Sequence, residues 1–248
     1  MNKLLEQKRD FVKANMQVLP TAALDNYAET FAVDYTHNST AIEGNTLTLR
    51  ETALLLHDKL SVGGKDLREI YEVINHNKAF DYVNKRIEED KPLDENAIKD
   101  IHGILMDNIM VGGIYRTVDV YISGAQHVPP TPNEMFNQIK AFYADLENKN
   151  MEPVELAAWT HAEFVKIHPY VDGNGRTSRL IMNYQLMSGG YLPVSIPKEQ
   201  RFDYYDCLEE YAVKGNSQPF VEMIAQLEEQ RLDWYVKAIE DTKAANNV

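Results

Sequence analysis

The densest chemistry in this chain lies in residues 168–179, His-Pro-Tyr-Val-Asp-Gly-Asn-Gly-Arg-Thr-Ser-Arg. This short stretch joins an imidazole that titrates near neutral pH, a hard-oxygen carboxylate, a glycine-rich turn and two guanidiniums. That set suits grasping a polyphosphate and moving a proton beside it. His168 can take a proton from an incoming hydroxyl. Asp172 offers one oxygen to magnesium, which needs only one or two protein carboxylates when phosphates complete its shell. Gly173 and Gly175 let phosphate oxygens come close to the main chain. Arg176 and Arg179 stand three apart on the helix that follows, project to roughly the same side, and can clamp successive phosphates by forked hydrogen bonds. Taken singly, His-Pro is a helix end, Gly-Asn-Gly a turn and Arg-x-x-Arg a solvated face. The joint spacing favours a site, because a plain turn needs neither the histidine nor two arginines.

These groups need elements to position them. Pro169 disfavours helical geometry at His168, so a helix over 153–167, with Leu156, Trp159, Phe164 and Ile167 facing the core, stops there. A new helix begins near Asn174–Arg176 with Leu180, Ile181 and Tyr184 as its buried stripe. The loop therefore feeds a helix N-terminus, whose free N–H groups and positive dipole make an anion seat. Helical periodicity dominates elsewhere. It predicts helices over 3–18 and from Leu24 to Ile42, the second with Tyr27, Phe31, Ala32 and Tyr35 as its stripe and Gly44-Asn45 as its stop. Thr48 to Glu51 has the form of a capping box that opens a helix with Leu54, Leu55 and Leu60, closing before Gly63-Gly64. Further helices are expected from Asp66 to about Glu88, from Asp94 or Glu95 to near Asn108, over 133–148, 176–187 and 198–213, and from Pro219 into a frayed tail, AANNV. Residues 111–132 differ. Val118, Val120 and Ile122 alternate, Ser123-Gly124 signals a turn, and Pro129-Pro130 ends any second strand, so one short β-hairpin is expected. The fold class is all-α with that hairpin, in a single domain over 1–248.

Composition narrows the partners. The formal net charge of −13 repels nucleic acid and anionic membrane, so neither is expected as a partner. Any anionic ligand must be held by locally concentrated positive charge. Cys207 is the only cysteine, so no intrachain disulfide forms. The first residues lack the apolar core of a signal peptide, and no apolar run reaches membrane-spanning length. A cytoplasmic location is the expectation.

The string at 168–179 resembles the signature of the Fic (filamentation induced by cAMP) family, His-Pro-Phe-x-Asp/Glu-Gly-Asn-Gly-Arg-x-x-Arg. Every fixed position matches except Phe, which is Tyr170 here; Tyr keeps the anchoring ring if its hydroxyl finds a partner. The resemblance extends over roughly residues 30 to 225. It implies an all-α fold with one β-hairpin, and transfer of AMP from ATP to a Ser, Thr or Tyr hydroxyl of a target protein with release of pyrophosphate. It implies His168 as general base, Asp172 as ligand of Mg2+, and Gly173, Asn174 and Gly175 as the anion hole. Arg176 would hold the β-phosphate side and Arg179 the γ-phosphate. Tyr204, Tyr205 and Leu208 lie where relatives line the adenine pocket, and Asn183 is a further candidate to face the nucleotide. The hairpin corresponds to the family's target-docking flap, with Val120, Tyr121, Ile122 and Ser123 on it and His127 as a flap-positioning residue. Self-modification and a homodimer are further expectations.

Ser39-Thr40-Ala41-Ile42-Glu43-Gly44 matches the family's inhibitory motif, Ser/Thr-x-x-x-Glu-Gly/Asn. Glu43 falls in the last turn of its helix, where a negative charge opposes the macrodipole by about 0.3–1 kcal/mol and calls for a partner. By resemblance that partner is Arg179, and the pair autoinhibits the enzyme. Residues 1–64 are then N-terminal helices carrying the inhibitory motif, 66–225 the Fic core, and 226–248 a C-terminal helix and tail. Rival readings are a Fic-type enzyme that removes AMP or transfers another phosphate-containing group, a metal hydrolase built on His161, His168 and Asp172, and a binding module with a silenced site.

Overall fold

The computed structural model describes residues 2–246, and α-helix is the dominant secondary structure among them. The elements are α1 (Asn2–Asn15), α2 (Thr21–Ile42), α3 (Leu49–Leu56), α4 (Leu67–Glu88), α5 (Glu95–Leu105), α6 (Pro132–Asn148), α7 (Pro153–Ile167), α8 (Asn174–Ser188), α9 (Arg201–Lys214) and α10 (Gln218–Asn246), with short 3-10 turns at Met16–Val18 and Lys198–Gln200. Local sequence explains most of the starts. Thr48 Oγ1 accepts from Glu51 N at 3.2 Å while Thr48 N donates to Glu51 Oε2 at 2.8 Å, which closes the expected capping box. Asp94 caps α5 by accepting from Ala97 N at 2.7 Å. Pro132 and Pro153 open α6 and α7, where a missing N–H costs nothing.

Several boundaries move. α3 stops at Leu56, and Leu60 lies outside it, exposed. α10 stays helical through Asn246, so fraying does not begin at Ala244; Asn247 and Val248 lie outside the described residues. The expected β-hairpin is not formed: no strand occurs among the described residues. Residues 111–131 are an extended loop with a turn in which Ala125 N donates to Ile122 O at 3.2 Å. The alternation of Val118, Val120 and Ile122 was a real signal for extended backbone but not for a ladder. Arg116 replaces the ladder, its Nη1 donating to Val118 O at 2.9 Å and its Nη2 to Pro130 O at 2.5 Å, so one guanidinium ties the two arms. Pro129 and Pro130 have no N–H to contribute, and the N–H groups of Gln126 and His127 both go to Glu209 Oε1 at 2.9 Å.

α8 is the centre of the molecule. It packs most extensively against α7 and also meets α4, α5 and α2. Leu180, Ile181, Met182, Tyr184 and Leu186 are fully buried, as expected of a helix surrounded by others. Most of its polar residues are buried too; Asn174, Asn183 and Tyr184 find partners, whereas Thr177 Oγ1 has none among the described residues. Asn183 Nδ2 donates to Val194 O at 2.9 Å and its Oδ1 accepts from Val194 N at 2.8 Å. Tyr184 OH reaches Lys91 O at 2.6 Å. Asn174 clamps the preceding loop, Oδ1 accepting from Tyr170 N and Nδ2 donating to Tyr170 O, both at 2.9 Å. Tyr170 itself is fully buried, stacked on His102 with ring centroids 3.6 Å apart. Its ring anchors the loop, but its hydroxyl has no hydrogen-bond partner among the described residues. No described helix is long and apolar enough to cross a membrane.

Two stability changes of opposite sign follow. A buried hydroxyl without a partner costs about 1–3 kcal/mol, so Tyr170→Phe leaves stability unchanged or raises it by about 1 kcal/mol. Removing the Asn183 amide strands two buried main-chain groups of Val194, so Asn183→Ala destabilises by at least about 2 kcal/mol. Thermal unfolding followed by circular dichroism reads both; a drop in Tm for Tyr170→Phe would show that the hydroxyl is bonded after all.

Candidate active site

His168 ends α7 in the left-handed region, with φ 51° and ψ 59°. A non-glycine residue stays there only when its surroundings hold it. Arg116 does so. Its Nε donates to His168 O at 2.8 Å and its main-chain N to Pro169 O at 2.9 Å. The His168 ring turns back onto its own helix, Nδ1 lying 3.1 Å from Val165 O. A carbonyl only accepts, so the ring proton sits on Nδ1 and Nε2 keeps its lone pair. Burial pushes this imidazole below its ordinary value; the Val165 carbonyl and Glu43 pull it up, while Arg116 and His127 press it down. The net effect is a neutral ring near pH 7, the form a general base requires.

The loop after His168 ends at Gly173, with φ 78°, which opens α8. A Cβ at Gly173 would come within 2.7 Å of Met106 Cε and 3.2 Å of His102 Nε2, so the loop lies pressed on α5. His102 fixes that contact. Gly113 N donates to its Nδ1 at 2.8 Å, leaving Nε2–H to donate to Asp172 O at 2.9 Å. Burial, with Arg176 nearby, holds this ring down to about 4, so it is neutral.

Arg176 and Arg179 do not lie on a solvated face; they are 2% and 1% exposed. Arg179 Nη2 donates to Glu43 Oε1 at 2.7 Å and to Ser39 O at 2.8 Å, and its Nε donates to Ser39 Oγ at 2.9 Å. The carboxylate also lies over the first turn of α8, where a Cβ on Gly175 would overlap Glu43 Oε1. Glu43 thus closes α2 against that helix's dipole, and Gly44, at φ 100°, turns the chain away. The positive end of α8 and the Arg179 guanidinium compensate it.

Arg176 pairs with Asp172 Oδ1 at 3.1 Å and Glu72 Oε1 at 3.3 Å. The Asp172 carboxyl is pushed up by burial, but Arg176, the Gly173 N–H and Arg68 outweigh this and hold it below the usual carboxylate range. Asp172 remains one-third exposed. An ionised, partly exposed carboxylate beside a helix N-terminus fits the role of the single protein ligand in a magnesium–phosphate site.

The structure separates the other candidates. Gly173, Asn174, Gly175, Arg176 and Arg179 do share the start of α8, yet the Asn174 side chain is committed to the Tyr170 main chain, so only its backbone is free to serve an anion. Asn183 is a correction: both amide atoms are bound to Val194 and it is fully buried, so it faces the core. Tyr204 is 1% exposed, its OH 2.9 Å from His161 Nε2 and accepting from Arg179 Nη1 at 3.3 Å; it supports the arginine from behind. Tyr205 is partly open and donates to Ile42 O at 3.0 Å, next to Glu43. His161 belongs to this buried network, with Ser178 Oγ at 3.1 Å, which removes it from any site shared with His168. No cluster of three ligand-type side chains occurs among the described residues. In the extended loop Tyr121 and Ser123 are exposed while Val120 and Ile122 are half-buried. His127 Nε2 donates to Lys166 O at 2.9 Å, tethering the loop to α7. Neither residue type nor spacing marks His102, Arg68 or Glu72, which reach the site from α5 and α4 only through packing.

Known proteins share this fold. A model of the Fic/DOC family matches residues 92–186. The chain is 37% identical over 242 residues to the Protein adenylyltransferase Fic of Drosophila grimshawi, which covers 96% of this chain and 49% of that relative. The Drosophila ananassae protein of the same name is 36% identical, over 96% of this chain and 48% of its own length. The chain therefore spans about half the length of the curated relatives it matches. A Fic domain containing signaling protein from Bacteroides thetaiotaomicron superposes with a TM-score of 0.85 at 25% identity, over 96% of each chain. Fic-1 from C. elegans superposes with a TM-score of 0.82 at 30% identity, over 96% of this chain and 71% of that one. With its motif loop inside the family match and the fold shared from end to end, the chain belongs to the Fic/DOC family.

Proposed function

We propose that this chain is a protein adenylyltransferase, moving AMP from ATP to a Ser, Thr or Tyr hydroxyl of a target protein, and that Glu43 holds it in check. The observation that carries the reading is the meeting of a neutral imidazole, Nε2 unprotonated, with a helix N-terminus bearing two buried guanidiniums. The name shared by the curated relatives supports the same chemistry.

His168 Nε2 takes the proton of the target hydroxyl. The freed oxygen attacks the α-phosphorus of ATP, an O–P bond forms, and the bond from that phosphorus to the β-bridging oxygen breaks, releasing pyrophosphate. The N–H groups at the start of α8 receive the charge that develops on the α-phosphate oxygens. Arg176 and Arg179 orient the outer phosphates. Asp172 would hold Mg2+, which when bound neutralises phosphate charge and steadies the leaving group. The loop over 111–131 presents Tyr121, Val118 and Ile114 outward and offers main-chain groups to an extended target segment.

Glu43 interferes twice. It engages the guanidinium meant for a terminal phosphate, and it places negative charge at the anion seat above Gly175. A hundredfold suppression needs only about 2.7 kcal/mol. A second reading has its own support: Glu43 is one-third exposed and near enough to His168 to raise its pKa, so carboxylate and imidazole together could orient a water for AMP removal.

Glu43→Gly raises transfer about a hundredfold or more, and His168→Ala abolishes it in that background. Intact-mass spectrometry after incubation with ATP and magnesium reads self-modification as an added AMP. A Glu43→Gly protein that gains no mass, alone or with candidate targets, removes the transferase reading; release of AMP from a modified protein by the unaltered chain selects the second.

The imidazole sets the acid limb. Only neutral His168 is a base and its pKa is lowered, so the rate rises with pH about a midpoint below the ordinary histidine value of about 6.5. Glu43 raises that pKa, so Glu43→Gly moves the midpoint lower still. NMR titration of the ring checks both shifts; a value above the ordinary one in the Glu43→Gly chain would contradict the assignment.

A further inference from the structure

Two charged residues at the mouth of the site belong to neither the loop motif nor the inhibitory motif. Arg68 and Glu72 lie one turn apart near the start of α4 and close a ring with Asp172 and Arg176. Arg68 Nε donates to Glu72 Oε1 at 3.2 Å, and Arg68 Nη2 is paired with Asp172 Oδ2. Arg176 reaches Glu72 Oε1 at 3.3 Å and Asp172 Oδ1 at 3.1 Å. Charges alternate around the ring, and both oxygens of the candidate metal ligand are covered by guanidiniums.

We infer that Arg68 is a phosphate-binding residue: its guanidinium holds the Asp172 carboxylate in the resting chain and passes to the outer phosphates of the nucleotide when a divalent cation takes that carboxylate. The inference rests on the reading of Asp172 as metal ligand and the α8 N-terminus as phosphate seat. A divalent cation on a carboxylate already held by two guanidiniums meets like-charge repulsion, which favours release of one arginine. Arg176 is walled into the centre of the molecule, whereas the Arg68 side chain is 57% exposed. Arg68 therefore moves. Its bond to Glu72 through Nε acts as a pivot, and once Asp172 is taken by a cation both Nη groups, the fork that suits phosphate oxygens, can turn. Glu72 is fixed from behind, Asn45 Nδ2 donating to its Oε2 at 3.0 Å. Arg68 is also untouched by Glu43, so it supplies a phosphate contact that the inhibitory pair does not block.

The test compares the Glu43→Gly chain with the same chain carrying Arg68→Ala or Arg68→Lys; circular dichroism confirms folding, which an exposed side chain leaves intact. Manganese titrated without nucleotide, read by loss of its free electron-spin resonance signal, should bind about three- to tenfold tighter after Arg68→Ala, because a competing cation is gone. Binding of magnesium with the non-hydrolysable analogue adenylyl imidodiphosphate, measured by calorimetry, should weaken by at least about fivefold, while AMP, which has no outer phosphates, binds unchanged. Arg68→Lys should fall between the two, because it keeps the charge and loses the fork. An Arg68→Ala chain that binds the analogue as tightly as its parent, or manganese no more tightly, overturns the inference and leaves the proposed activity standing. A Glu43→Gly parent that binds neither manganese nor the analogue overturns both.

Discussion

Two guanidiniums buried in the first turns of the central helix set the terms for this structure. A cation that is 1–2% exposed is costly unless anions and acceptors surround it. The chain meets that demand from four directions: Glu43 and Ser39 from the end of α2, Tyr204 from α9, Glu72 from α4, and Asp172 from the loop. The neighbouring histidines add no charge. Burial, reinforced by the arginines, keeps His76 and His161 far below the ordinary imidazole value. The result is a dense cluster of guanidiniums matched by carboxylates in a chain of net charge −13.

In the proposed function, inhibition and binding are two solutions to the same electrostatic problem. Buried guanidiniums at a helix N-terminus are unsatisfied without an anion, and Glu43 is the anion the chain carries with it. The contact is compact because Gly175 has no side chain to hold the carboxylate off, so the glycine that would admit a phosphate also admits the glutamate. Glu43 is partly exposed, and Arg179 is held by Ser39 as well as by the carboxylate.

Much of the site could be read from residue types because its parts are contiguous. His168 to Arg179 span a helix end, a turn and a helix start, and proline, glycine and periodicity report such local geometry directly. Thr48 and Glu51 met as a capping box for the same reason. The failures are equally physical. Val118, Val120 and Ile122 have the alternation of a strand, but a single guanidinium took the carbonyls that a ladder would have paired. Asn183 has the right spacing from Arg176, yet the chain at Val194 passes close by and takes its amide. Tyr170 keeps the ring that the loop needs and leaves its hydroxyl stranded.

By itself the sequence determined the helices, the loop between α7 and α8, and the chemical groups that loop carries, since all of these depend on neighbours within a few residues. Only the tertiary structure decided which nitrogen of His168 is free, which carboxylate answers each arginine, and how His102, Arg116, Arg68 and Glu72 enter the site. Those outcomes depend on where α2, α4 and α5 pack around a buried helix, and no local pattern encodes a distance between segments 52 to 140 residues apart.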